Sequence, residues 1–413
     1  MKRQLIKVAP IILLFLFKFL TPTSDLVYAQ QPVASFFYDD QGHVTQQARD
    51  TNGDGKMDRW THYNERAQIE RIEQDMNFDG KPDAFVYYEN GKPRRQEVAS
   101  HNDGRIDLWY LLDPDGKVER KGEDPNRTGK PTLWVYYQDG QPLRAEEQNG
   151  PSGVVNRSVY FHDGKISRVE EDTDADGKPD SFAFYDNGKL VRKELDRKHT
   201  GKTDLWGYYQ DNRLVKQEED LRGDGIVSRI VYFQNETVVR REEDTMGRQR
   251  MDIIEIFSQG KLTKRLRDTK GSGKWDAVYV FENDQMVREE RDTDADGVFD
   301  LRIFYADGQI KRQEGDTNAD RRVDVWVRFE NGERVEQLED QHSHGTISAR
   351  YIFKNGQVIG QETVADAQPP SIALPFGATE DEMRSMAAFT GVQVDKPRAT
   401  TVAAGLQSDT RTK

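Results

Sequence analysis

Five nine-residue stretches of the chain carry oxygen side chains at the same four places. They are Asp50, Asn52, Asp54 and Asp58; Asp75, Asn77, Asp79 and Asp83; Asp172, Asp174, Asp176 and Asp180; Asp292, Asp294, Asp296 and Asp300; and Asp316, Asn318, Asp320 and Asp324. The pattern is D-x-[DN]-x-D-G-x-x-D, with Arg321 replacing the glycine in the last copy. Carboxylates this close repel one another unless a counter-ion sits among them. Hard, flexible Ca²⁺ takes roughly six to eight oxygens, and the carbonyl at position 7 with water can supplement four side chains. Mg²⁺ rarely uses an all-protein cage. The competing reading is that Asp, Asn and Gly simply make good turns.

The loops recur because the whole chain does. Copies of the loop begin at 50, 75, 99, 124, 148, 172, 196, 220, 244, 268, 292, 316 and 340, a spacing of 24 except for 25 after 50 and after 99. Eleven of the thirteen first positions are Asp; Ala99 and Gln148 are the exceptions. After each loop comes a strand-like segment, a tight turn and a second segment, as in Ser181 to Tyr185, Asn187-Gly188 and Leu190 to Glu194. Asn-Gly accepts the positive φ of a two-residue hairpin turn, so each repeat reads as a β-hairpin. The predicted fold is therefore all-β: an elongated antiparallel array of about fourteen hairpins with a 24-residue period, superhelical or solenoid-like. The alternative is a seven-bladed β-propeller, which would pair hairpins into four-stranded blades.

Within a hairpin, position 11 is often Trp or Phe, position 13 often Tyr or Phe, and position 14 aromatic in all copies but Leu112. Aromatics at fixed repeat positions read as stacked ladders, with a glycan- or peptide-binding strip as the rival. Arginines such as Arg144 and Arg192 stand two residues before Glu146 and Glu194, a spacing that allows pairing on one strand face.

The hairpin half, as in Phe85-Val86-Tyr87-Tyr88-Glu89-Asn90-Gly91-Lys92, resembles bacterial MORN-type repeats, although their extra glycines are largely absent. The loop half resembles EF-hand-like DxDxDG calcium loops of extracellular repeat proteins. It departs from the EF-hand at position 12, where Thr61, Val86, Ala183, Ile303 and Val327 replace the bidentate Glu. The missing ligand is expected from position 9 binding bidentately, or from Glu73, Glu170, Glu171, Glu290 or Glu314 of the adjoining strand. The loops at 99 and 220 are partial, keeping Asp103 with Asp107 and Asp220 with Asp224. In others Lys198, Arg248 or Lys270 takes a ligand position and is expected to neutralise the neighbouring Asp within its own loop. The resemblance implies an elongated β-array with a structural or binding role.

The ends of the chain read differently. A basic start, the apolar run Ile11 to Phe17 and the small-residue exit at Ala29 predict a signal peptide over 1–29, hence a secreted, periplasmic or cell-surface protein. With that segment removed no transmembrane span is left. The repeat domain is expected over 30–366, and 367–413 as linker, short helix and disordered tail. Thr379-x-x-Glu382 reads as a capping box for that helix, which is expected to dock on the open end of the array. A formal charge of −13 speaks against a nucleic-acid partner, and zero cysteines exclude disulfides and thiolate sites. No nucleophile elbow, phosphate loop or H-E-x-x-H occurs, so an enzyme is not expected. The expected role is a calcium-binding scaffold or interaction module, its partner an unidentified protein or glycan at the cell surface.

Overall fold

A computed structural model describes residues 33–101, 103–148, 153–370 and 376–388. The expected signal peptide and the tail from 389 onward lie outside the described residues. The described residues form 28 strands and one helix, Thr379–Ala388, and every strand pairing among them is antiparallel. Two compact units divide it, Met1–Pro131 and Thr132–Lys413. In the first, four hairpins run from strand Ala34–Tyr38 to strand Val118–Glu123; in the second, ten run from Leu133–Gln138 to Gln357–Ala367. The architecture is the expected all-β hairpin repeat array.

Turn chemistry sets the period. Asn187 and Gly188 have φ of 48° and 79°, the double left-handed conformation of a two-residue hairpin turn, which a side chain resists and Gly adopts freely. The turns at 64–68 and 113–117 are one residue longer. There Asn64 Oδ1 accepts the N–H groups of Arg66 and Gln68, both at 3.0 Å, and Asp113 Oδ1 those of Asp115 and Lys117, both at 2.9 Å. These are the repeats starting at 50 and 99, so the 25-residue spacings are one extra turn residue each.

Pairing continues from hairpin to hairpin. Arg192↔Tyr208, Lys193↔Gly207, Glu194↔Trp206 and Leu195↔Leu205 join one hairpin to the next, and the same joint recurs along each unit. Four-stranded blades would leave alternate joints unpaired, so the propeller alternative is excluded. Each hairpin also carries a bulge the sequence did not announce. Phe184 pairs with Arg192 but Tyr185 with Leu190, leaving Val191 as the extra residue. Such bulges increase local twist.

The two faces differ in chemistry. Positions 12 and 22 pack small aliphatic side chains, including Val135, Ala145, Val159, Val169 and Ala183, all buried. On the opposite face, ring, cation and carboxylate form a repeated triad. Tyr136 Oη donates to Glu146 at 2.8 Å, while the Arg144 guanidinium lies 4.6 Å from the ring centroid and 3.0 Å from Glu146. Tyr208, Lys216 and Glu218 repeat it, and burial together with the Glu218 carboxylate pushes the Tyr208 hydroxyl up to about 12. The ladder expected from the sequence thus has its ring faces covered by cations, each such contact contributing about 0.5–2 kcal/mol.

At Ile254, Ile256, Leu266 and Val278 that face turns aliphatic, and the C-terminal segment packs on it. Ile254, Ile256, Leu266 and Val278 form a cluster with Phe376 and Met386, which are 4% and 3% exposed. Backbone bonds fix the segment: Phe376 N–H to Arg321 O at 3.3 Å, Phe299 N–H to Gly377 O at 3.3 Å, Thr379 N–H to Gly297 O at 3.1 Å. The expected docking on the open end is corrected, because the apolar surface that attracts Phe376 and Met386 lies on the sheet. The two capping-box side chains also act in docking. Thr379 Oγ1 donates to Gly297 O at 3.3 Å, and Glu382 pairs with Lys264 at 2.6 Å.

Phe376→Ala is expected to cost about 3–5 kcal/mol locally, the usual loss for a buried aromatic. Amide exchange measures it: protection should fall across Thr379–Ala388 and stay unchanged in the hairpins before residue 230. Unchanged protection in the helix would contradict this packing.

Candidate metal centre

Position 1 of the loop is an internal anion for the loop's own backbone. Asp172 accepts the N–H of Ala175 at 2.7 Å on Oδ1 and of Gly177 at 2.8 Å on Oδ2. Asp220, Asp268 and Asp292 do the same with amides three to five residues on. Glycine at position 6 supplies the positive φ that turns these amides inward, as at Gly177 with φ of 91°. Position 9 closes the other side. Asp180 accepts the N–H and hydroxyl of Thr173, and where Ser228 replaces Asp, its Oγ still accepts the Leu221 N–H at 3.0 Å. Asp50, Asp58, Asp75 and Asp83 are arranged alike, each almost fully buried. Asp at position 1 keeps the same amide bonds in loops rich in acid, such as that at 172, and in loops that have lost the acid, such as that at 268.

Positions 3 and 5 remain for a cation. Among the described residues, three carboxylate oxygens come within 4.8 Å of one another at Asp172, Asp174 and Asp176, and at Asp292, Asp294 and Asp300. These acidic groups can hold a metal ion. Asp296 stands apart from the second group; it accepts the Val298 N–H at 2.7 Å and, with Asp294 and burial, holds the Asp292 carboxyl above its usual value. In the loops at 50 and 75, asparagine relieves the crowding. Asn52 Oδ1 accepts the Asp54 N–H, and its amide donates to Asp54 Oδ2 at 3.2 Å; Asn77 and Asp79 match. In the last loop Asn318 donates instead to Ser343, Asp320 accepts the Arg322 N–H, and burial with Asp316 and Asp320 nearby raises Asp324.

The expected twelfth-position substitutes are engaged elsewhere. Glu73 pairs with Arg71, Glu170 with Arg168, Glu171 with Arg157, and Glu290 and Glu314 with Arg302 on the strand face. Both oxygens of Asp180 and Asp300 already accept bonds from Thr173 and Thr293. The strand glutamates are drawn away by arginine, so water and loop carbonyls would complete any ion's shell.

His199 is a group the sequence reading missed. Its Nδ1 lies 3.1 Å from Asp174 and 3.4 Å from Asp180, although it belongs to the next loop. Position 4 reaches backward, as Arg127 does to Asp103 at 3.1 Å. The stacking period was the available signal, but position 4 has no recurrent residue type to draw attention.

Cations in the acid-poor loops also bridge loops. Lys198 Nζ donates to Leu221 O at 3.2 Å, Lys270 Nζ to Thr293 O at 3.3 Å, and Arg248 to Gly271 O. Arg222 reaches Asp244 at 3.0 Å and Arg250 reaches Asp268 at 2.9 Å. The expectation that Lys198, Arg248 and Lys270 neutralise an Asp of their own loop is corrected; a position-3 or position-5 side chain is aimed at the following turn. The partial loops hold their own cations as well, with Arg127 on Asp103 and Arg222 on Asp224.

No protein-family model matches the chain, and no curated protein matches it. Among solved structures, the accessory secretory protein 1,2 and 3 structure of Streptococcus pneumoniae is 19% identical over 25% of this chain, with a TM-score of 0.16. The TcdB2-TccC3 structure is 12% identical over 79% of it, with a TM-score of 0.15. A porin-like protein from Bacteroides uniformis is 10% identical over 58% of this chain and 86% of its own, with a TM-score of 0.11. The chain spans 18% and 25% of the length of the first two. Likenesses this weak carry no inference about fold or activity.

The anion positions titrate in a defined direction. Burial disfavours the charged form of Asp196, Asp244 and Asp268, but loop amides, joined by Arg222 at Asp244 and Arg250 at Asp268, outweigh it and hold all three below 3.8. Their contribution to stability is complete above pH 3.8 and is lost as pH falls through the lowered values. Acid titration of the folded state should therefore show cooperative destabilisation below that pH. Asp268→Ala should cost about 1–3 kcal/mol at neutral pH by stranding the amides of Ser272 and Gly273. Equal stability of this variant and the parent in urea melts would contradict the assignment.

Proposed function

We propose that the chain is an exported, non-enzymatic β-repeat scaffold or surface interaction module, with Ca²⁺ tuning two of its loops. The observation that carries this is the division of labour within the loop. Positions 1 and 9 complete the turn with or without acid at positions 3 and 5, as the Asp268 loop illustrates with Lys270 and Ser272 at those places. Cations are therefore accessories to an array that stands without them. The loops at 172 and 292 are where an ion has most to neutralise, since both carry Asp at position 3. Ca²⁺ suits them best because their ligands are all oxygen, partly exposed and flexible, and need water to fill the shell. Beside the second, a cleft of about 320 Å³ lies against the Asp316 loop, with Asp294, Asp296 and Asp316 at its wall. Modest affinity follows, in the range of about 10⁻⁴–10⁻³ M for extracellular modules.

In the acid-poor loops arginine and lysine do the ion's work by bridging adjacent turns. A platform stiffened in both ways suits a partner-presenting role, and the partner's chemistry is a protein or glycan at the cell surface.

Ca²⁺ at about 100 times its dissociation constant should add about 2.7 kcal/mol for each occupied loop, seen as a rise in Tm over a chelator-treated sample. Asp174→Asn with Asp294→Asn should abolish that rise while leaving the Tm in chelator unchanged or higher. An undiminished rise in the double variant, or none in the parent, would sink the calcium reading.

A further inference from the structure

Within each unit, every joint between hairpins is built from the same two half-strands. The second strand of one hairpin offers repeat positions 21–24 to positions 13–10 of the next hairpin's first strand. Gln46, Gln47, Ala48 and Arg49 meet His62, Thr61, Trp60 and Arg59 in this way, and Glu336 to Glu339 meet Ile352 to Ala349. Among the described residues, the first and the last strand each carry one half without the other. Strand Ala34–Tyr38 presents positions 10–14 and, among the described residues, pairs only with Val44–Arg49. Strand Gln357–Ala367 presents positions 21–24 as residues 360–363 and pairs only with Ile347–Lys354.

Neither edge strand carries Lys or Pro, and among the described residues no further strand pairs with either. The first strand reads ASFFY, with no charge and no proline, and Phe36, Phe37 and Tyr38 are about half exposed or more (49%, 50% and 61%). In the last strand Val358 and Ile359 are 53% and 62% exposed. Soluble proteins normally blunt such edges with Lys, Pro or a covering loop, because unpaired N–H and C=O groups recruit another strand.

The residues flanking these edges differ from their internal counterparts in a consistent sense. Position 1 after the last hairpin is Val364 and position 9 before the first strand is Val33. Internally these are the places of the buried aspartates that bond a connecting loop. A joint between separate chains has no connecting loop, so a carboxylate there would have no amides to accept. Gly360 stands where Arg or Lys fills position 21 in most hairpins, and its register partner at such a joint would be Phe37, an aromatic beside a glycine.

We infer that the occupant of these edges is a second copy of this chain, joined head to tail. Thr363, Glu362, Gln361 and Gly360 of one copy pair antiparallel with Ala34, Ser35, Phe36 and Phe37 of the next. The two surfaces are different, so the contact is heterologous and continues by addition of further copies.

The ladder geometry supplies a test. Asp50 N–H bonds Val33 O at 3.0 Å, so strand alternation turns the backbone of Ser35 toward its own hairpin and that of Phe36 outward. Gln361 holds the same repeat position as Gln47, which faces its joint partner Thr61, and is outward too. Phe36→Pro and Gln361→Pro therefore each remove a joint donor while sparing the hairpin. Sedimentation velocity of the purified protein at rising concentration should give a ladder of species. Each variant alone should sediment as a monomer, and an equimolar mixture should give a dimer, twice the mass, and stop there, since each retains one intact edge. Phe36→Lys and Gln361→Lys, checked for folding by circular dichroism, should repeat the pattern. A parent that stays monomeric overturns the inference. So do variants that associate as the parent does, and a mixture that stays monomeric.

Discussion

A buried carboxylate that accepts the amides of its own loop is the interaction on which the rest of this structure depends. Every connection between hairpins has to reverse direction in nine residues while its N–H groups point inward, away from water. Unpaired, such donors are costly. An Asp at position 1 satisfies two of them, and Asp or Ser at position 9 satisfies the amide of position 2. With both ends of the loop tied, the next strand starts at a fixed place beside the last, and the same four-residue joint can recur along the unit.

Electrostatics follows from that arrangement. Loop amides favour the charged form of Asp196, Asp244 and Asp268, and in other loops further acids at positions 3 and 5 add repulsion. The chain answers the repulsion in different ways from loop to loop. Asn52 and Asn77 replace one charge with an amide, and Arg222 and Arg250 bring a guanidinium from the preceding loop. At 172 and 292 the acids stay together, and there an ion has most to offer. On the strands, the same logic pairs arginine with both tyrosine rings and glutamates, covering an aromatic face that would otherwise meet water.

Most of the fold was legible in the sequence because it is written in period and turn chemistry. Asn-Gly at 187–188 and its counterparts placed the hairpins, and the two 25-residue spacings correspond to the longer turns at Asn64 and Asp113. The bulge at Val191 was not legible, since no residue type marks it. Asp at position 1 even in loops lacking acid at 3 and 5 was itself the clue that this residue also serves the turn, a role the ligand pattern did not announce. His199 escaped because its contact crosses between loops. The helix was found by its own pattern, but its place was not. The change from Trp206 at position 11 and Glu218 at position 23 to Ile254 and Leu266 marked the surface it covers.

The claim that a loop beginning with Asp is closed by that carboxylate, independently of any ion, has a direct test in amide hydrogen exchange with excess chelator. Protection should be present and comparable at the position-6 amides of Gly177 and Gly297 in acid-rich loops and Gly201 and Gly273 in acid-poor ones. All four are bonded to position 1 at 2.6–2.9 Å. Loss of protection at Gly177 and Gly297 alone in chelator would contradict it, for then the ion and not the carboxylate would be closing the loop.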